Sequence, residues 1–90
     1  MRTVKIIRRK GVFPTAPGVK ILSDEKPIGF LEENSESGLY EISVGEHAIQ
    51  AQLEGENGRL YRSNSYFATG RKDVTLYLSI SGSKLTLEYR

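Results

Sequence analysis

The chain contains no cysteine, which removes disulfides, thiolate nucleophiles and zinc–thiolate centres from consideration. It contains no tryptophan, which weakens a carbohydrate-binding reading, because sugar platforms rely on flat aromatic faces. Tyr61 and Tyr77 remain as substitutes, with Tyr61 expected to point inward. His47 is the single histidine, so any chemistry that needs paired imidazoles is excluded. No apolar run approaches the ~18–20 residues that span a bilayer. The first residues do not form a secretory core either: Val4, Ile6 and Ile7 are interrupted by Lys5 and followed by Arg8-Arg9-Lys10. The cytoplasm is the expected compartment, with the envelope as the alternative if a leader has been removed.

What is present is globular in character. Hydrophobic residues make up 38% and charged residues 27%, a balance that builds one modest core. Residues 1–90 are expected to form a single all-β domain, and a chain this short hides only roughly 60–65% of its unfolded surface. The formal net charge of +2 is too small to imply nucleic acid by itself. Basic residues nevertheless gather at Arg2, Lys5, Arg8, Arg9 and Lys10. Charged side chains deter edge-to-edge pairing, so this segment reads as a solubilising edge strand. The competing reading makes Arg8, Arg9 and Lys10 a phosphate-binding patch of a small OB-like nucleic-acid-binding domain.

Apolar residues alternate with polar ones, and Gly, Pro, Asn and Ser interrupt the pattern every 8–12 residues. This predicts strands near 3–9, 18–23, 27–32, 39–44, 47–55, 59–68, 74–80 and 84–89, and no helix. A small antiparallel β-sandwich of seven or eight strands built from hairpins follows. Register can be tested, because directly paired residues share a face. A turn at Gly45-Glu46 pairs Val44 with His47, Ile42 with Ile49 and Tyr40 with Ala51. A turn at Gly82-Ser83 pairs Ile80 with Leu85, Leu78 with Leu87 and Leu76 with Tyr89. A turn at Asp24-Glu25 pairs Ile21 with Ile28 and Val19 with Phe30. At Asn57-Gly58 a two-residue turn would bury Arg62, so a three-residue loop, Glu56-Asn57-Gly58, is preferred, with glycine supplying the left-handed position of a bulge. Leu53 then meets Tyr61, Ala51 meets Ser63, Ile49 meets Ser65 and His47 meets Phe67.

Two segments resemble the PEGA-type bacterial β-domain. Gly18-Val19-Lys20-Ile21-Leu22-Ser23-Asp24-Glu25-Lys26-Pro27-Ile28-Gly29 is similar to its strand–turn–strand, and Val44-Gly45-Glu46-His47-Ala48-Ile49 is similar to the segment that opens a later strand. The likeness covers residues 16–53. Ala16-Pro17-Gly18 stands near the place of the naming tetrapeptide, and Glu25 stands where the family has a turn glycine. The resemblance implies a small β-sandwich that serves as an accessory module of envelope or surface proteins, with no catalytic residues to carry over.

Candidate chemistry is sparse. Acidic neighbours at Asp24/Glu25, Glu32/Glu33 and Glu54/Glu56 lack the cleft that paired-carboxylate catalysis requires. A serine triad would need His47 as base, but there is no Gly-x-Ser-x-Gly elbow and His47 is expected at the rim of the apolar face beside Val44 and Phe67. Glu54-Gly55-Glu56-Asn57-Gly58 offers oxygen atoms but not the ligand spacing of an EF-hand loop. No phosphate-cradling glycine loop occurs. The chosen registers place Glu41, Gln50, Gln52, Arg62, Asn64 and Tyr66 together on a solvent face, a set of amides, a guanidinium and a phenol suited to a polar ligand or a partner's backbone. The expectation is a non-catalytic binding or structural module, without cofactor or metal, as a monomer or weak dimer. A protein partner is favoured over nucleic acid.

Overall fold

The computed structural model describes residues 1–9, 17–55, 57–81 and 84–89, and these are all strand, turn or connection, with no helix among them. The strands are β1 (Arg2–Arg8), β2 (Val19–Ser23), β3 (Lys26–Leu31), β4 (Ser37–Ile42), β5 (His47–Glu54), β6 (Leu60–Arg62), β7 (Tyr66–Ala68), β8 (Val74–Ser81) and β9 (Lys84–Tyr89). They form two sheets. The first runs β4-β1-β8-β9, and the second runs β3-β2-β5-β6, with β7 also paired to β5. All pairings are antiparallel except β1 with β8. Among the described residues no helix is long and apolar enough to cross a membrane.

Alternation accounts for the core. Val4 and Ile6 of β1, Val19 and Ile21 of β2, Ile49 and Ala51 of β5, Leu76 and Leu78 of β8, and Leu85 and Leu87 of β9 all face inward. Each is two residues from its companion, the period at which successive side chains return to one face. Ile42, Ile49, Leu78 and Leu87 are 4%, 0%, 0% and 2% exposed, so the expected parity holds at these four positions of β4, β5, β8 and β9. The sandwich is thus an apolar layer closed between two inner faces.

Four local expectations are corrected. Gly45-Glu46 does not join a hairpin. β4 pairs with β1, setting Tyr40 opposite Val4 and Ile42 opposite Arg2, while β5 pairs with β2 in the other sheet. Both residues of an inward pair reach the same core whether they lie side by side or stack across it, so parity alone cannot distinguish a hairpin from a change of sheet. Gly45, at φ +106°, makes the corner.

The Asp24-Glu25 turn does form, with φ of +52° and +72°, the two-residue hairpin geometry that needs left-handed residues. Ser23 then faces Lys26 and Leu22 faces Pro27, but a bulge shifts the register so that Ile21 faces Gly29 and Val19 faces Leu31. Leu31 enters the core at 1% exposure and Phe30 is left 50% exposed. The bulge adds one residue to β3, which reverses the faces of everything after it.

Leu53 faces Tyr61 as the three-residue loop requires, and Gly58 has φ +79°; Glu56 of that loop lies outside the described residues. The expected strand over 59–68 is, however, broken after Arg62. The Ser63 amide donates to the Ala51 carbonyl at 2.9 Å and the Ser63 hydroxyl accepts from the Ala51 amide at 2.9 Å. Beyond this point the pairing has slipped by one, with Ile49 opposite Tyr66 and His47 opposite Ala68. Ala68 is therefore buried and Phe67 exposed. The last hairpin follows expectation, with Ile80 opposite Leu85, Leu78 opposite Leu87 and Leu76 opposite Tyr89; Gly82 and Ser83 lie outside the described residues.

The fourth correction concerns the basic N-terminal strand. β1 is no edge: it lies between β4 and β8. Arg2 is buried at 2% exposure, and its guanidinium donates to the carbonyls of Gly45, Thr69 and Lys72, joining the 43–46 corner to the 69–73 connection. Arg2 serves the fold, where a basic edge strand is expected to deter pairing.

Candidate functional site

The residues expected on one solvent face are divided by the two-sheet arrangement. Gln50, Gln52 and Arg62 share the outer face of the second sheet, where Lys20 faces Gln52 and Gln52 faces Arg62. The Arg62 side chain donates from Nε to Gln52 Oε1 at 3.0 Å and from Nη1 to Glu25 Oε2 at 3.1 Å, reaching back towards the 24–25 turn. Glu41 belongs to β4, in the other sheet. Asn64 is turned to β9: its Nδ2 donates to the Leu87 carbonyl at 3.0 Å and its Oδ1 accepts from the Leu87 amide at 2.9 Å. Tyr66 stacks on Tyr89 with ring centroids 5.8 Å apart. Glu41 joins the expected face only if β4 and β5 are neighbours, and Asn64 and Tyr66 only if the strand over 59–68 runs unbroken past Arg62.

The proposed basic patch is engaged internally. Arg8 donates from Nε to the Ser35 carbonyl at 2.9 Å and from Nη2 to the Glu32 carbonyl at 3.0 Å. Burial pulls its pKa below the usual arginine value, with the Tyr40 phenol acting in the opposite sense. Arg9 lies over the Tyr77 ring at 5.6 Å and meets Glu88 at 3.5 Å. Lys10 lies outside the described residues.

His47 has a different environment from the one expected. Its imidazole, with a side chain only 18% exposed, is joined on both sides. Nδ1 lies 2.6 Å from Asp24 Oδ2 and Nε2 lies 2.9 Å from the Ser43 hydroxyl. The Asp24 Oδ1 accepts from the Ala48 amide at 2.9 Å, while the Asp24 amide donates to the Ala48 carbonyl. The carboxylate thus extends the β2–β5 pairing by one step beyond Ser23–Ile49. Those contacts hold the Asp24 carboxyl below its ordinary pKa, the Ala48 amide first and the His47 side chain second. Sequence reading placed Asp24 in a hairpin turn and Ser43 at a strand end. Nothing in the local pattern signalled that a change of sheet would bring them to the same imidazole.

A groove of about 680 Å³ opens at the opposite end of β2, where β3 and β5 finish and β6 starts. Phe30, Leu53 and Leu60 supply its apolar surface, and Glu32, Glu33 and Glu54 stand around it, with Lys20 as a cation in the lining. Phe30 and Leu60 are 50% and 55% exposed, large apolar surface left in water by the bulge in β3 and by the short β6. The Phe30 ring lies against Gly18, where a Cβ would overlap it. The ring stands at the edge of the groove, beside Gly18. No group of three or more His, Cys, Asp or Glu residues poised to hold a metal occurs among the described residues. Comparison of the chain with protein-family models, curated proteins and solved structures gave no match.

Proposed function

We propose that this β-sandwich is a non-catalytic binding module that takes a segment of a protein partner in the groove between Phe30 and Leu60. The observation that carries the reading is the pairing of two half-exposed apolar side chains with three carboxylates around one concavity. Concavities that combine apolar side chains with a few convergent polar groups are where ligand recognition concentrates. The charges favour a partner with an apolar anchor flanked by lysine or arginine. On this reading the module acts as a monomer or weak dimer and serves a larger assembly, of the envelope accessory type implied by the PEGA-like segments 18–29 and 44–49. The nucleic-acid alternative has less support, because the Arg8 and Arg9 guanidinium groups are already held by carbonyls, Tyr77 and Glu88.

The test is an amide-resonance titration of the labelled domain with a short synthetic peptide of alternating lysine and phenylalanine. Shifts are expected at residues 18–20, 30–33, 52–54 and 60. Phe30→Ala should weaken binding at least tenfold, and added salt should weaken it further. Saturation by an otherwise identical glutamate peptide with equal strength, or no shift at millimolar peptide, would sink the reading.

A further inference from the structure

The corner between β4 and β5 lies at the other end of β2 from the groove and carries chemistry that a binding role does not use. Ser43, His47 and Asp24 are joined in series, hydroxyl to Nε2 at 2.9 Å and Nδ1 to carboxylate at 2.6 Å. We propose that Ser43 is a primed nucleophile that accepts an acyl group from small activated esters or thioesters, with His47 as base and Asp24 as the orienting carboxylate.

The order of groups is what makes the hydroxyl reactive. An ionised carboxylate only accepts hydrogen bonds, so its contact places the imidazole proton on Nδ1 and leaves the Nε2 lone pair facing the Ser43 hydroxyl. Asp24 keeps its charge because its pKa is held low, and it cannot rotate away because Oδ1 is tied to the Ala48 amide. The corner is also fixed. The Gly45 amide donates to the Gly70 carbonyl at 2.9 Å, and the Gly45 carbonyl accepts from buried Arg2. A nucleophile in reach of a base that is itself oriented by a third group is the general arrangement of covalent catalysis, recognised by geometry and not by chain order. Here the chain order is Asp24, Ser43, His47.

In the step, the Ser43 oxygen forms a bond to the acyl carbon while its proton passes to His47 Nε2. The bond from acyl carbon to leaving oxygen or sulfur then breaks, and the leaving group departs with that electron pair and takes the proton from Nε2. Acyl-Ser43 and a free phenol or thiol result, and the imidazole returns to its starting state. Ser43 is exposed, so the developing oxyanion is met by water, and only donors with a good leaving group react. The product is an ordinary alkyl ester facing solvent and persists, so the site is acylated once per chain. This inference stands apart from the groove and does not depend on it.

The experiment treats the whole 90-residue chain with p-nitrophenyl acetate and, separately, with a fluorophosphonate, followed by intact mass and peptide mapping. A single adduct on Ser43 is expected, forming at least tenfold faster at pH 8 than in His47→Gln and more slowly in Asp24→Asn. Ser37, exposed on β4, is the internal control and should stay unmodified. Thermal unfolding of each variant separates loss of reactivity from loss of fold. Ser43→Ala removes an exposed hydroxyl and keeps the test decisive if His47→Gln does not fold. Equal rates in wild type and His47→Gln, or an adduct that survives in Ser43→Ala, would overturn the proposal.

Discussion

Asp24 occupies the first left-handed position of a hairpin turn and also ties that turn to β5. Its two oxygens accept from the Ala48 amide and the His47 imidazole, and both contacts favour the ionised form. The folded carboxyl therefore ionises at a lower pH than the unfolded one. The unfolded chain takes up the proton first as pH falls, so the stabilisation is complete above about pH 4 and is lost as pH drops through the lower folded value. Asp24→Asn keeps an oxygen for Ala48 but has no proton to gain. Thermal midpoints measured from pH 6 down to pH 2 are expected to fall more steeply in the wild type than in Asp24→Asn, because the remaining carboxylates are common to both. Parallel curves would show that the carboxylate contributes nothing that its amide cannot replace.

At the scale of strands, the Tyr40 ring explains two glycines. It is 7% exposed and lies against Gly29 of β3 and Gly38 of β4, where a Cβ on either would overlap the ring. The ring fills the side of the sandwich where β3 and β4 come together, covering two places that lack side chains of their own. Burial raises the phenol pKa, and Glu32 raises it further while Arg8 opposes the shift. Gly38→Ala is expected to lower stability by roughly 1–3 kcal/mol, the usual range for forcing atoms into a packed site. Denaturant unfolding measures this directly, and an unchanged midpoint would mean that the ring moves aside freely. The strands themselves were legible because alternation is written residue by residue, and Ile42, Ile49, Leu78 and Leu87 all lie inside as the pattern requires. Three features were not legible. The change of sheet at Gly45 leaves inside and outside unaltered, so no pattern reports it. The bulge opposite Ile21-Leu22 and the break at Ser63 each shift parity by one, which exchanged Phe30 for Leu31 and Phe67 for Ala68 in the core. Both candidate sites arise from those same three features, which is why sequence reading reached only Gln50, Gln52 and Arg62 as true neighbours.

At the scale of the whole molecule, closure of the sandwich depends on polar contacts between the sheets as well as on the apolar layer. Buried Arg2 joins two connections at one end through three carbonyls, and Asn64 joins the second sheet to β9 of the first. The Asn64 side chain presents an amide to both backbone groups of Leu87, as a neighbouring strand would, so it occupies part of the open edge of β9. Arg62, two residues earlier, makes only exposed contacts to Gln52 and Glu25. The two substitutions therefore separate by mechanism. Asn64→Ala leaves the Leu87 amide and carbonyl without partners and should cost about 1–3 kcal/mol. Arg62→Ala removes an exposed ion pair and should change stability by less than about 1 kcal/mol. Urea unfolding of the two variants side by side checks the difference. If Asn64→Ala unfolds with the wild-type midpoint, the bridge to Leu87 does not hold the sheets together, and closure rests on the apolar layer alone.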